Sequence, residues 1–139
     1  MKREVALAVL ERDDAWLLQL RDDLESILYP GHWGLFGGHL NPGETPSEAL
    51  HRELLEEINW IPANPLDHWF TSENETRIAH IFRGALSVPM DQLTLLEGQD
   101  LKLTSKVELR QGSIWSDRCC ELRPIAPGLD QVIERLLSD

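Results

Sequence analysis

The chain has 139 residues, 42% of them hydrophobic and 27% charged; this suits one globular domain over residues 1–139 with a real core. With 13 basic against 24 acidic residues the formal charge is −11, a field that repels phosphate backbones and argues against a nucleic-acid polymer as partner. No apolar run approaches membrane-spanning length, and Glu11 interrupts the N-terminal apolar stretch too early for a secretory signal. Cys119 and Cys120 are adjacent. On a strand they would point to opposite faces, and a disulfide between neighbours would be strained, so two reduced thiols and a cytoplasmic location are expected. No further cysteine is available to complete a thiolate metal site.

In chain order, Glu4–Leu10 and Ala15–Arg21 read as a hairpin around the polar turn Glu11-Arg12-Asp13-Asp14. A charged loop and a short apolar piece, Ile27–Tyr29, follow, and Pro30-Gly31 stops them. Trp33–Phe36 reads as a brief strand running into Gly37-Gly38. Asn41-Pro42-Gly43 is turn chemistry. Thr45-Pro46-Ser47-Glu48 then supplies a capping box with proline at the first helical position. The helix is expected from Pro46 to about Ile58, with Asn59 in the left-handed position after it and Pro62 blocking continuation.

Pro65–Thr71 reads as a strand, Ser72–Glu75 as a turn, and Thr76–Leu86 as a strand with two apolar faces, suited to the middle of a sheet. The stretch Leu101–Arg123 is poorly legible; Val107–Leu109 and Ser113–Trp115 are candidates for short strands or turns. A last helix is expected over about Leu129–Leu137, with Leu129, Val132, Ile133, Leu136 and Leu137 on one face. Strands, one capped helix, more strands and a terminal helix imply an α+β fold with a mixed sheet.

The densest chemistry lies on the capped helix. At about 100° per residue, Glu53, Glu56 and Glu57 share one arc, and the apolar stripe of Leu50, Leu54 and Ile58 runs beside it. The common fate of such a charge run is a solvated helix face. Like charges at these spacings destabilise a helix, however, unless something cationic lies between them. A hard divalent ion with oxygen ligands, Mg²⁺ or Mn²⁺, does so. Arg52 is placed to orient Glu56. Gly37-Gly38 permits close backbone approach and lets a carbonyl face the metal, and Glu44 sits near the positive end of the helix dipole.

Gly38, five residues, Glu44, seven residues, then Arg52-Glu53-Leu54-Leu55-Glu56-Glu57 resembles the signature of the Nudix hydrolases. Asn59 stands where that signature has glycine, and Trp60 where it has an aliphatic residue; neither substitution removes a ligand. The resemblance implies an α/β/α sandwich around a mixed β-sheet, with Glu53, Glu56, Glu57 and the Gly37 carbonyl as metal ligands and Arg52 and Glu44 in support. The implied reaction is attack of water on a phosphoanhydride of a nucleoside diphosphate linked to another moiety, such as a nucleoside triphosphate or nucleotide sugar. The alternative is a non-catalytic, nucleotide-binding or regulatory domain of the same fold.

Glu53 is the first candidate for accepting the water's proton. Glu97, in a polar loop beside Gly98, is the candidate from outside the motif. For the substrate, Arg21 and His39 are candidate phosphate contacts and Trp33 a candidate platform for a base. The expected partner is a small-molecule nucleotide, acted on by a monomer or homodimer.

Overall fold

The computed structural model describes residues 2–138. Its first strands are β1 (Arg3–Arg12), β2 (Ala15–Leu20), β3 (Trp33–Gly34) and β4 (Phe36–His39), followed by helix α1 (Pro46–Ile58). Then come β5 (Asp67–Glu73), β6 (Arg77–Ala85), β7 (Asp100–Ser105), α2 (Lys106–Gln111), β8 (Ser113–Ser116), β9 (Glu121–Pro124) and α3 (Asp130–Ser138). Single 3₁₀ turns lie at Met90–Gln92 and Pro127–Leu129. No helix among the described residues is long and apolar enough to cross a membrane.

Two compact units divide the chain. The first comprises the residues up to Arg12 and Phe36–Leu96. Here β1 pairs antiparallel with β4 and parallel with β6, and β6 pairs antiparallel with β5. This is a mixed sheet with β6 inside it, as its two apolar faces predict. A register shift interrupts the β5–β6 ladder between His68 and Phe70. There the ring of Trp69 lies under the Arg83 guanidinium, 4.6 Å away, and Arg83 is itself held by Glu11 at 3.0 Å.

Helix α1 packs on β4 and β1 through Ala49, Leu50, Leu54 and Ile58, all buried. Its start is the predicted capping box: the Thr45 hydroxyl accepts from the Glu48 N–H at 3.1 Å, and the Glu48 carboxylate accepts from the Thr45 N–H at 2.9 Å. Its end is Asn59, left-handed at φ 52°, with its N–H on the Leu55 carbonyl. Two further carbonyls at that end, those of Ile58 and Glu57, accept from the N–H groups of Thr94 and Leu96 at 3.1 and 2.8 Å. The segment before Glu97 thereby satisfies groups that a helix end leaves open.

The second unit comprises Asp13–Leu35 and the residues from Glu97 on. There β2 pairs antiparallel with β3 and β7, and β8 with β9. Several expectations are corrected here and at the neighbouring strand. Trp33–Phe36 is not one strand: pairing breaks at Leu35, and β4 then runs through Gly37-Gly38 to His39. Val107–Leu109 lies inside a short helix, α2, which has its own capping box from Ser105 and Glu108 and ends at Gly112. Cys119 and Cys120 occupy the turn between β8 and β9 rather than a strand, and both are free thiols. The terminal helix falls where predicted, with Val132 and Leu136 buried.

Removing the Thr45 hydroxyl opens one half of the α1 capping box. Thr45→Ala is expected to lower stability by about 1 kcal/mol, read as a lower urea midpoint with an unchanged slope.

Candidate functional site

The site assembles where β4 runs antiparallel to β1 and passes under α1. Gly37 pairs with Leu7 and Gly38 with Ala6. At Gly37, φ is +133° and a Cβ would lie 2.1 Å from the Ala6 carbonyl oxygen; no other residue fits without moving backbone. At Gly38 the obstacle is different. A Cβ there would meet the Glu53 carboxyl carbon at 2.6 Å and both its oxygens at 2.8 Å, so the carboxylate lies directly on the bare glycine.

Arg52 ties the remaining pieces together. Its Nε and Nη2 donate to the two oxygens of Glu44 at 2.9 and 3.0 Å, a bidentate pair. Nη2 also donates to the His39 carbonyl at 2.9 Å, and Nη1 donates to Glu53 at 2.8 Å and to Glu56 at 3.4 Å. Glu44 in turn accepts from the Asn41 N–H at 2.7 Å. The Arg52 bonds, with help from the Asn41 N–H, hold the Glu44 carboxyl below its ordinary value. The same pairing, with Glu44 first and Glu53 after it, raises the Arg52 guanidinium well above its own. Both groups stay charged at neutral pH.

The three glutamates of the arc differ in environment. Glu57 is 4% exposed, and its carboxylate accepts the Gly37 N–H at 2.8 Å. Glu53 is half-buried over Gly38, and Glu56 is exposed. Among the described residues no three His, Cys, Asp or Glu side chains gather around one point in a way that would hold an ion. Arg52 pairs with Glu53, and the Gly37 N–H holds Glu57.

The other sequence candidates fall as follows. His39 ends β4 with its side chain exposed, and its carbonyl is the one that Arg52 grips. Arg21, Trp33 and Glu97 belong to the second unit. The Arg21 Nε donates to the Leu28 carbonyl at 2.8 Å. Glu97 is exposed, with its carbonyl accepting from Gln19 Nε2 at 2.9 Å. Trp33 is 0% exposed and its Nε1 donates to the Ile114 carbonyl at 3.0 Å. That corrects the platform reading, because a wholly buried indole presents no face to a base; Trp33 is core. The seat of Glu53 on Gly38 escaped the sequence reading, although the glycine pair was its signal.

The family model described as NUDIX domain matches residues 1–108. The chain belongs to the Nudix family. A curated relative, the nucleoside triphosphatase NudI of Escherichia coli O1:K1 / APEC, is 40% identical over 57 residues, a segment covering 41% of this chain and 40% of the relative. The similarity therefore spans well under half of that protein. Among solved structures, the E. coli ORF135 protein superposes with a TM-score of 0.66 at 28% identity, covering 99% of this chain and 91% of that one. The MutT NUDIX hydrolase of Burkholderia pseudomallei superposes with a TM-score of 0.73 at 17% identity, covering 96% and 97%. The fold is thus the α+β arrangement of a mixed sheet and helices that the motif predicts.

Two outcomes follow. Gly37→Ala, which pushes backbone against backbone, should cost about 1–3 kcal/mol of strain, whereas Gly38→Ala only displaces the end of a flexible glutamate and should leave thermal stability nearly unchanged. The second concerns pH. Because Glu44 titrates below 4.5 in the folded protein, its contribution is complete above that value and is lost as pH falls through the lowered one. The Tm advantage of wild type over Glu44→Gln should be flat at neutral pH and shrink below pH 4.5.

Proposed function

We propose that the chain, read as a single domain over residues 1–139, is a divalent-metal-dependent hydrolase. Its reaction is attack of water on a phosphoanhydride in a nucleoside diphosphate linked to another group. The observation that carries this reading is the Glu53 carboxylate seated on bare Gly38 and braced by Arg52, on the same helix as Glu56 and Glu57. The donor set is all carboxylate and carbonyl oxygen, which suits Mg²⁺ or Mn²⁺. Glu53, Glu56, Glu57 and the Gly37 carbonyl would hold the ion. When bound, such an ion offsets the repulsion between the acidic helix and a polyphosphate and lowers the pKa of water.

The chain's own residues do the rest. Arg52 positions the machinery by fixing Glu44, the His39 carbonyl and Glu53 relative to one another. The Gly37 N–H holds Glu57 in place at the edge of β4. Glu53 is the first candidate to accept a proton from the attacking water at its carboxylate, and Glu97 is the second. His39 and Arg21 supply candidate contacts to phosphate. The similarity to a protein named as a nucleoside triphosphatase makes nucleoside triphosphates the first substrates to try, with nucleotide sugars next.

The test is a turnover screen of nucleoside triphosphates and nucleotide sugars with Mg²⁺ or Mn²⁺, scored for released mononucleotide. Wild type should turn over at least one of them, and chelation should stop it. Glu57→Gln should stay folded and lose at least about a hundredfold in kcat. Full activity in Glu57→Gln would overturn the ligand set. Nucleotide binding without any product would favour a non-catalytic nucleotide-binding domain.

A further inference from the structure

Arg3 and Arg77 are register partners on the parallel strands β1 and β6. Their side chains therefore leave the same face of the sheet, from backbones about 4.8 Å apart. Like charges set directly opposite each other destabilise a sheet. Neither side chain has a hydrogen bond or ion pair among the described residues. In a chain of 24 acidic and 13 basic residues carboxylates are plentiful, and neighbouring cations have found them. Lys2 pairs with Glu73, His80 lies 3.2 Å from Glu4, and Arg83 is held by Glu11. Two arginines facing each other without a carboxylate are the exception.

Beside Arg3 there is room for a ligand. His39 pairs with Val5 across β4 and β1, two residues along from Arg3 and on the same face. On the Arg3 side an open cleft of about 610 Å³ is lined by Arg3, His39 and Asn41, with Lys2, Glu4 and Glu44 among its other walls; Arg77 is not one of them and stands beside Arg3 through the β1–β6 register. Of these charged walls, Lys2, Glu4 and Glu44 are matched by Glu73, His80 and Arg52; Arg3 is not. The backbone of Arg77 is fixed as well, since its N–H donates to the Asn74 side chain at 2.8 Å and its carbonyl accepts from the Asn74 N–H at 2.9 Å.

We propose that Arg3 and Arg77 form a phosphate-binding site separate from the glutamates of α1. It takes inorganic phosphate or the terminal phosphate of a phosphomonoester. Two guanidinium forks match the oxygens of a phosphate dianion, and the dianion cancels the repulsion between them. Neither a divalent ion nor turnover is required, so the site stands or falls apart from the hydrolytic reading.

The test uses the full chain in metal-free, low-salt buffer, with inorganic phosphate and a nucleoside 5′-monophosphate as probes, read by calorimetry and Tm. Phosphate should raise the Tm of wild type and of Glu57→Gln alike. Arg3→Gln/Arg77→Gln should bind at least about tenfold more weakly and show no rise. Without phosphate the double variant should melt no lower than wild type, because the repulsion is gone; this separates a lost ligand from a lost fold. Should the double variant unfold, Arg3→Gln alone, at an exposed position, serves the same comparison. Binding of both probes assigns the site to phosphate itself, and binding of the mononucleotide alone assigns it to the ester; both support the site if the arginine variant loses them. No binding to wild type, or equal binding to the arginine variant, overturns it.

Discussion

The guanidinium of Arg52 is the point on which the site depends. Three elements that owe their positions to different parts of the sequence converge on it: the end of β4 through the His39 carbonyl, the turn before α1 through Glu44, and α1 itself through Glu53 and Glu56. An ammonium group could satisfy one or two of these. A planar fork with five donors satisfies them together and sets the angles between them. Without it the turn, the strand end and the acidic face would each keep their fold but lose their mutual alignment.

Beneath that clamp lies a constraint of space. The antiparallel register of β4 on β1 puts Gly37 against the Ala6 carbonyl and Gly38 under Glu53. One glycine permits the strand to lie where it does, and the other permits the helix to bring a carboxylate down onto it. The first requirement is set by backbone and is rigid. The second is set by a side chain, which is why it bears on the disposition of the glutamates more than on stability.

How much of this could be read from residues alone depends on how local the cause is. Helix α1 is legible from end to end because Thr45, Pro46 and Glu48 specify its start, the stripe of Leu50, Leu54 and Ile58 its face, and Asn59 its stop. The order of glutamates along it identified the family. Helix α2 has the same signature, Ser105 followed by Glu108, but six residues are too few to show a period. The continuation of β4 through Gly37-Gly38 was hidden because glycine reads as a strand breaker. Trp33 looked like a platform because composition cannot say which tryptophan is buried. The Gly37 to Glu57 bond and the facing of Arg3 and Arg77 depend on strand register between distant segments, and no local pattern encodes register.

Helix α1 carries Glu56 and Glu57 in its final turn and no basic residue there. Negative charge at that end opposes the helix dipole, where a lysine or arginine would be favoured. The capping box secures the beginning, but the other end works against its own electrostatics and is held by the Asn59 turn, by the N–H groups of Thr94 and Leu96, and by the buried stripe. That end of the helix depends on its surroundings as well as on its own residues. A sequence optimised for helicity alone would place its charges the other way round.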